Sequence, residues 1–366
     1  MKKIYTQPRT ETVATTPQQI LCASGGIKAQ ISGYKQNTGS GFSQTFVWLA
    51  GAVCSSLLFL GTACSTNNNP DQPKQQAELK PRTLIVQTSP QPSPQERGIQ
   101  RLPQATITEN GDVLDAIWSA GDEISFRNLS HETYTPSGTT DEVPLDGILL
   151  ADRAASIASF ESNDKVWCDL GDQLLLVYPK ATDPAITVSG NPLRATYSIS
   201  LTGQDGTLAT IANTYHHSYG IATITEVTPT VANAELAEMQ NLLTVCKFSF
   251  VDESDQPLPI TSLSISYYDG DYAGTYPETA TVTVTQGTPC TVAVTPVNQS
   301  KEAGGYALAI SPTGNPMEVY VALFPEATAT TYSFRLTSGE DTYTGTATAQ
   351  LIAGEYVVAT NLKLTK

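Results

Sequence analysis

The stretch Thr244–Val251, TVCKFSFV, decides the fold class of this chain. Its cysteine and its phenylalanines stand at alternate positions, separated by Lys247 and Ser249. An apolar residue at every second position is typical of a β-strand with one buried face. Similar short runs, rich in Thr, Val and Tyr and bounded by Gly, Pro, Asn and Asp, recur from about residue 105 onward. The sequence therefore predicts an all-β protein of antiparallel sheets.

The predicted strands are short and follow one another at regular spacing. Besides 244–251 they cover residues 123–127, 173–178, 196–201, 221–227, 263–268, 280–285, 291–294, 318–324, 331–336, 345–351 and 356–364. Only one stretch, residues 231–242 (VANAELAEMQNL), has a composition that favours a helix. Many short strands with almost no helix indicate a β-sandwich architecture.

Length and composition exclude several classes of protein. The chain has 366 residues, enough for two domains with hydrophobic cores of their own. Its formal net charge is -15, which repels phosphate backbones, so we expect no nucleic-acid partner. The three histidines, and six cysteines without CxxC spacing, indicate neither a zinc site nor a disulfide framework. These features argue against most enzyme classes.

No arrangement of residues indicates catalysis, a metal or a cofactor. His216 and His217 are adjacent, so on a strand their side chains would point to opposite faces and could not share a metal. The acidic clusters at 252–255 and 269–271 lack the ligand spacing of a calcium loop, and the acidic pair at 340–341 is typical of a solvated turn. We therefore predict a protein that is not an enzyme and has no catalytic residue, no metal site and no cofactor.

An apolar run near the N-terminus predicts export. Residues 46–63, FVWLAGAVCSSLLFLGTA, are long enough for the core of an export signal and end at Ala63, immediately before Cys64. Lipoprotein signal peptidases accept a small residue ahead of a cysteine at such an edge. We predict that residues 1–63 are a disordered leader and signal segment, and that Cys64 is lipidated. An uncleaved signal-anchor helix is the alternative, and either one places the remaining chain outside the cytoplasm.

The exported part divides into a tether and two predicted domains. Residues 64–104 are rich in Pro and Gln and include one short strand-like run, 83–86. Strand-like runs then fill the rest of the chain. We predict an N-terminal sandwich over 105–240 and a C-terminal sandwich over 241–366, with the boundary just ahead of the strand described first.

One local pattern occurs twice. Residues 118–124, WSAGDEI, and residues 167–174, WCDLGDQL, each place a Trp ahead of a Gly-Asp pair and an apolar run. A Gly-Asp pair between apolar runs is a turn signal. We predict a hairpin turn at each site, with the Trp packed beneath it.

Four stretches carry a resemblance to a known family. They are the Trp, Gly-Asp and Tyr-Pro pattern of 167–179, SISLTGQDGTLATIANTYHHSYGIATIT of 198–225, LLTVCKFSF of 242–250 and YTGTATAQLIAGEYVVATNLKLTK of 343–366. Together they resemble the fimbrillin family of Bacteroidetes, the lipoprotein precursors of type V pili and their accessory subunits. The resemblance covers about residues 105–366. Glu355 stands where the family usually has Lys, and residues 130–164 have no counterpart in it.

The resemblance implies two tandem transthyretin-like antiparallel β-sandwich domains in an outer-membrane lipoprotein at the cell surface or in a fimbrium. It also implies that an arginine-specific protease removes an N-terminal segment, after which other pilus subunits bind by exchange of a β-strand. The withdrawn strand would be 83–86, with cleavage after Arg97 or Arg101. Arg82 is a further candidate for proteolytic processing, unless these arginines are only linker charges. The donated strand would present four apolar side chains, Tyr356, Val358, Leu362 and Leu364.

A second function stays open on the residues alone. The chain could be a surface glycan-binding lipoprotein with tandem β-sandwich domains, in which Trp118, Trp167 and several tyrosines are available for an exposed aromatic platform. In the pilus interpretation the subunit would support adhesion to a host or bacterial surface ligand. The sequence does not distinguish a shaft subunit from a tip or an anchor subunit.

Overall fold

A computed structural model describes residues 18–19, 78–88, 106–111, 113–155, 158–180, 186–270, 274–297 and 307–366. The predicted export signal, Cys64, Arg97 and Arg101 lie outside these residues. Within them nearly all regular structure is β-strand, so the prediction of an all-β fold is confirmed.

The first eleven strands lie ahead of the helical turn. They are β1 (Gln18–Gln19), β2 (Lys80–Thr88), β3 (Thr106–Asn110), β4 (Val113–Ile117), β5 (Glu123–Asn128), β6 (Asp146–Ala151), β7 (Ser159–Ser162), β8 (Val166–Cys168), β9 (Gln173–Tyr178), β10 (Thr187–Ser189) and β11 (Arg194–Ser200). The helical turn consists of α1 (Leu208–Thr210) and a π-helical turn (Ile211–Tyr215). None of the helical residues described forms a segment long and apolar enough to cross a membrane.

The remaining strands follow the helical turn. They are β12 (Ser218–Val227), β13 (Val231–Asn241), β14 (Thr244–Val251), β15 (Ser262–Tyr267), β16 (Thr279–Thr285), β17 (Thr291–Val297), β18 (Leu308–Ile310), β19 (Glu318–Leu323), β20 (Thr330–Ser338), β21 (Asp341–Ala349) and β22 (Tyr356–Lys363).

The stretch that favoured a helix, residues 231–242, is instead the long strand β13, so that prediction is wrong. Ala232, Ala234 and Leu236 alternate along it and are all fully buried. Both edges of β13 are paired, with β12 antiparallel on one side and β2 parallel on the other. Pairing on two edges and burial of every second side chain outweigh the weak helical preference of Ala and Glu.

The N-terminal half is built around a closed sheet, here called the ring sheet. Its strand order is β13-β12-β9-β5-β6-β7-β2, and the pairing of β2 with β13 closes it, while β8 extends the edge of β2 beyond β7. The interior includes the large side chains Trp118, Phe126 and Phe160, each almost completely buried. Closure leaves no long unpaired edge between the first and last strand of the ring.

The two Trp, Gly and Asp stretches form the same tight turn. A carboxylate oxygen of Asp122 accepts a hydrogen bond from the backbone N–H of Ser119 at 2.6 Å, and Asp172 accepts one from Asp169 at 2.9 Å. The glycine before each aspartate has a φ of 86° in the first turn and 84° in the second, which favours glycine. The turns are as predicted, but they are not hairpins, because β4 pairs with β3 and β8 pairs with β2.

The C-terminal half contains two sheets with a shared core. The three-stranded sheet β19-β14-β22 and the sheet β1-β21-β20-β15-β18 contribute Phe248, Phe250 and Phe334, whose ring centroids lie 5.3 to 6.2 Å apart. The inward Cys246, Phe248 and Phe250 are the alternating positions from which the strand was predicted. Their burial agrees with a sandwich in this half of the chain.

Backbone hydrogen bonds cross residue 240, where we predicted a domain boundary. β11 pairs with β16 from Arg194 opposite Thr285 to Ser200 opposite Thr279, in the sheet β10-β11-β16-β17. The buried side chain of Gln204 also exchanges two hydrogen bonds with the backbone of Ala322, at 2.7 and 3.0 Å. The division at residue 240 stays a prediction, and the two halves are joined by a common sheet.

A small group of buried polar side chains lies where β12 begins and β13 ends. His216, Ser218 and Asn241 are each more than nine-tenths buried, and Ser218 stands opposite Asn241 in the sheet. Their side-chain polar atoms have no hydrogen-bond partner among the described residues. Burial, with a contribution from His217, lowers the pKa of His216 from 6.5 to about 4. His216 is therefore neutral in the folded protein at neutral pH.

This burial makes the fold sensitive to acid. Between pH 6.5 and about pH 4, His216 is protonated in the unfolded chain but neutral in the folded chain. The free energy of unfolding should therefore fall between these pH values, by about 1.4 kcal/mol per pH unit for one such group. Urea unfolding of the wild type and of His216→Leu at several pH values measures the difference. An unchanged pH slope in the variant would contradict the assignment.

Candidate functional site: strand β2 and its groove

β2 is an N-terminal segment that occupies the gap in the ring sheet. Its residues 83–88 run parallel to β13, whereas residues 80–82 pair antiparallel with β8 and residues 85–87 pair antiparallel with β7. Both edges of the strand are therefore hydrogen-bonded. The sequence predicted only a short strand here, at residues 83–86. It did not show that this strand completes the sheet.

The inward side of β2 consists of Arg82, Leu84 and Val86. Leu84 and Val86 are fully buried in the core of the ring sheet, and Arg82 is 5% exposed. Burying an aliphatic side chain of this size contributes roughly 1.5 to 3 kcal/mol. The groove that holds β2 is thus an apolar channel with a polar end.

Arg82 is bound at that polar end by three groups on two separate segments. Its Nε donates to the carbonyl of Thr228 at 2.8 Å, and one terminal nitrogen donates to the carbonyl of Cys168. The other terminal nitrogen lies 3.5 Å from the carboxylate of Asp169. A protease must bind an accessible arginine, so this geometry disfavours cleavage after Arg82 in the folded chain. Arg97 and Arg101 lie outside the described residues.

A side chain from β7 and one from the loop between β7 and β8 hold the middle of β2. The hydroxyl of Ser162 accepts a hydrogen bond from the backbone N–H of Leu84 at 2.9 Å. Lys165 donates to the hydroxyl of Thr83 at 2.6 Å and reaches the carbonyl of Thr230 at 3.5 Å. These contacts add to the backbone pairing and fix the register of β2.

The predicted donor strand is β22. It pairs in parallel with β14, from Tyr356 opposite Val245 to Lys363 opposite Val251, at the edge of its three-stranded sheet. The predicted donor side chains lie as follows: Tyr356, Leu362 and Leu364 are buried and Val358 is half-buried. The strand is thus packed into its own C-terminal half, in an edge position.

A carboxylate from the hairpin β3-β4 holds β22 in place. Glu109 accepts hydrogen bonds from the hydroxyls of Tyr356 and Tyr320, at 2.7 and 2.6 Å, and from Lys247 at 3.1 and 3.2 Å. Burial alone would raise the pKa of Glu109, but the hydrogen bonds from these three side chains outweigh it and the pKa is lowered. Glu109 therefore links β22 to β14 and β19 through one ionised group. Sequence reasoning missed it, because TITEN looks like any polar strand end.

The two tryptophans do not form a common exposed surface. Trp118 is fully buried, with its ring edge-to-face against Phe160 at 4.8 Å and Tyr178 at 5.3 Å. Trp167 is half-buried, and its ring centroid lies 5.8 Å from that of Tyr134. Trp118 is consequently unavailable to an aromatic platform.

The residues weighed as metal ligands are not gathered into a site. Over the described ranges no three or more His, Cys, Asp or Glu side chains form a group that could hold a metal ion. His217 has a ring nitrogen 3.4 Å from the carbonyl of Ser200, and its neighbour His216 is buried without a partner among the described residues.

Comparison with known proteins finds likeness among solved structures only. No protein-family model matches the chain, and no curated protein matches it. A candidate cell adhesion protein of Bacteroides uniformis is 11% identical over 81% of this chain and 95% of its own, with a TM-score of 0.45. One of Bacteroides ovatus is 12% identical over 77% and 91%, with a TM-score of 0.43. The shaft pilin of Lactobacillus rhamnosus GG is 11% identical over 78% and 97%, with a TM-score of 0.27. All three likenesses are coarse.

Glu109→Gln should weaken the attachment of β22. The variant keeps one acceptor oxygen but loses the charge that faces Lys247, and its new NH2 group cannot accept the hydrogen bonds that the second carboxylate oxygen received. We expect a loss of about 1 kcal/mol in the free energy of unfolding, because Glu109 is partly exposed to solvent and Lys247 keeps its ion pair with Glu318. Hydrogen exchange in Tyr356–Lys363 should rise more than elsewhere. Glu340→Gln, at an exposed turn, is the control and should change neither quantity.

Proposed function

We propose that this chain is a cell-surface lipoprotein that serves as a structural or accessory subunit of a fimbrium and assembles by exchange of a β-strand. The observation that carries the proposal is β2. A strand from the N-terminal segment completes the ring sheet, and the chain between it and β3 contains Arg97 and Arg101 among several prolines. The resemblance to fimbrillin precursors supports the same function.

Cleavage after Arg97 or Arg101 would cut the covalent link between β2 and the rest of the fold. β2 would then be held only by hydrogen bonds and by the burial of Leu84 and Val86. Its departure would leave unpaired edges on β13 and β7 and an apolar groove between them. A strand from another subunit can supply both the hydrogen bonds and the alternating apolar side chains, which is β-augmentation.

The same cleavage would have a second effect, which follows from the order of Cys64, β2 and Arg97 along the chain. Cys64 precedes β2 in the sequence, and both lie ahead of Arg97. Release of the segment that contains β2 would therefore also separate the body from its lipid anchor at the outer membrane. An uncut chain would stay anchored with its groove filled.

β22 is the proposed donor, through Tyr356, Val358, Leu362 and Leu364. Its edge position means that it pairs with β14 alone among the described strands. Release of the segment breaks that ladder and the bridge between Thr365 and Thr344 just beyond the end of β22. Release also requires that Tyr356 leaves Glu109. The glycan-binding alternative is not carried further, because Trp118 is buried.

An arginine-specific protease should convert the purified precursor into higher-order species. We expect cleavage after Arg97 or Arg101, followed by a ladder of species on gels run without heating. The double variant Arg97→Gln, Arg101→Gln should stay uncut and monomeric. Complete cleavage without any species larger than the monomer would argue against strand exchange.

Lipidation should depend on one cysteine. Cells that express Cys64→Ser should no longer incorporate labelled palmitate into the protein, because the acylated thiol is absent. Cys54→Ser, in the same apolar run, is the matched control and should label normally. Equal labelling of both variants would show that Cys64 is not the acylated residue.

A further inference from the structure

The inward face of β2 contains a cation where an apolar side chain would be expected. Arg82 alternates with Leu84 and Val86 and lies with them on the buried side of the ring sheet, only 5% exposed. A buried charge is costly unless its partners are supplied by the protein. The groups that bind Arg82 therefore form part of the groove, as much as its apolar walls do.

These groups belong to the groove and not to the strand. Cys168, whose carbonyl binds Arg82, is the last residue of β8, and Asp169 follows it directly. The carbonyl of Thr228 lies in the turn between β12 and β13. All three would stay behind when β2 leaves. A replacement strand with an apolar side chain at this position would cover these acceptors without any donor, which is destabilising. An amide side chain would supply donors but no cation to pair with Asp169.

We propose, on the basis of the strand exchange proposed above, that this pocket selects the incoming strand. The partner is a strand of another subunit that carries Arg or Lys on its inward face, next to two apolar residues at alternate positions. In a strand that runs in the direction of β2 the order is basic, then apolar, then apolar. The apolar pair fills the places of Leu84 and Val86, and the cation enters the Arg82 pocket formed by Cys168, Asp169 and Thr228.

The chain's own C-terminal segment shows how restrictive this requirement is. Within residues 356–366 no Lys or Arg stands two positions ahead of an apolar residue. Leu362, Leu364 and Lys366 present the required side chains in the opposite order, so this segment fills the pocket only when it runs opposite to β2. The pocket thus restricts the direction as well as the composition of a donor.

Peptide exchange into the cleaved protein tests the requirement. The full chain, cut after Arg97 or Arg101, is mixed with fluorescent peptides of residues 78–88, ELKPRTLIVQT, that differ at one position. The wild-type and Arg82→Lys peptides should enter, and the Arg82→Gln peptide should bind about tenfold more weakly or worse. A Gln87→Ala peptide, changed at an exposed position, should bind like the wild type. Fluorescence anisotropy measures the affinities.

A variant of the groove distinguishes the pairing of Arg82 with Asp169 from the packing of its side chain alone. In Asp169→Asn the preference for the Arg82 peptide over the Arg82→Gln peptide should shrink several-fold, whereas Glu161→Gln, on β7, should leave it unchanged. Equal binding of the Arg and Gln peptides to the wild-type groove would overturn the selection and leave strand exchange standing. Failure of every peptide to enter, the wild-type sequence included, would overturn strand exchange and the selection with it.

Discussion

The pairing of β2 with β13 is the interaction on which the N-terminal half depends. Without it the ring sheet would end in two open edges, and the core around Trp118 and Phe160 would lose the wall formed by Leu84 and Val86. The pairing joins segments far apart in sequence, since Thr83 stands opposite Val231. Such contacts are entropically expensive to form and depend on the chain between them staying continuous.

The two halves of the molecule are coupled through polar groups as well as through the shared sheet. Glu109 in the hairpin ahead of β5 binds residues of three different C-terminal strands. Gln204 inserts between the halves and pairs with the backbone of Ala322. Each of these side chains satisfies several partners in a partly dehydrated setting, where a lost partner is more costly than at the surface. Strand β22 is therefore held by a carboxylate, that of Glu109. Strand β2 is held through its own cation, Arg82.

Local periodicity made much of the fold predictable. Strands such as β9 and β14 lie where alternating or continuous apolar runs predicted them, because residues close together in sequence determine which face of a strand is buried. β13 was not predicted because its alanines and glutamates favour a helix in isolation. Its pairing with two strands, β12 and β2, makes it a strand instead. The Glu109 site was missed because its partners lie 138 to 247 positions away. The pocket of Arg82 was missed for the same reason, since Thr228 is 146 positions distant.

The covalent link between β2 and β3 affects how well β2 competes with other strands for its groove. While residues 89–105 are uncut, β2 can return to its groove in an intramolecular step, whose effective concentration is on the order of millimolar for linked partners. Once this link is cut, β2 competes only at the concentration of free fragment, which dilution makes negligible. The groove would then be open to another strand that fits it, and under the proposed assembly the next subunit would present such a strand at high local concentration. A single hydrolysed bond can thus turn an intramolecular association into an intermolecular one.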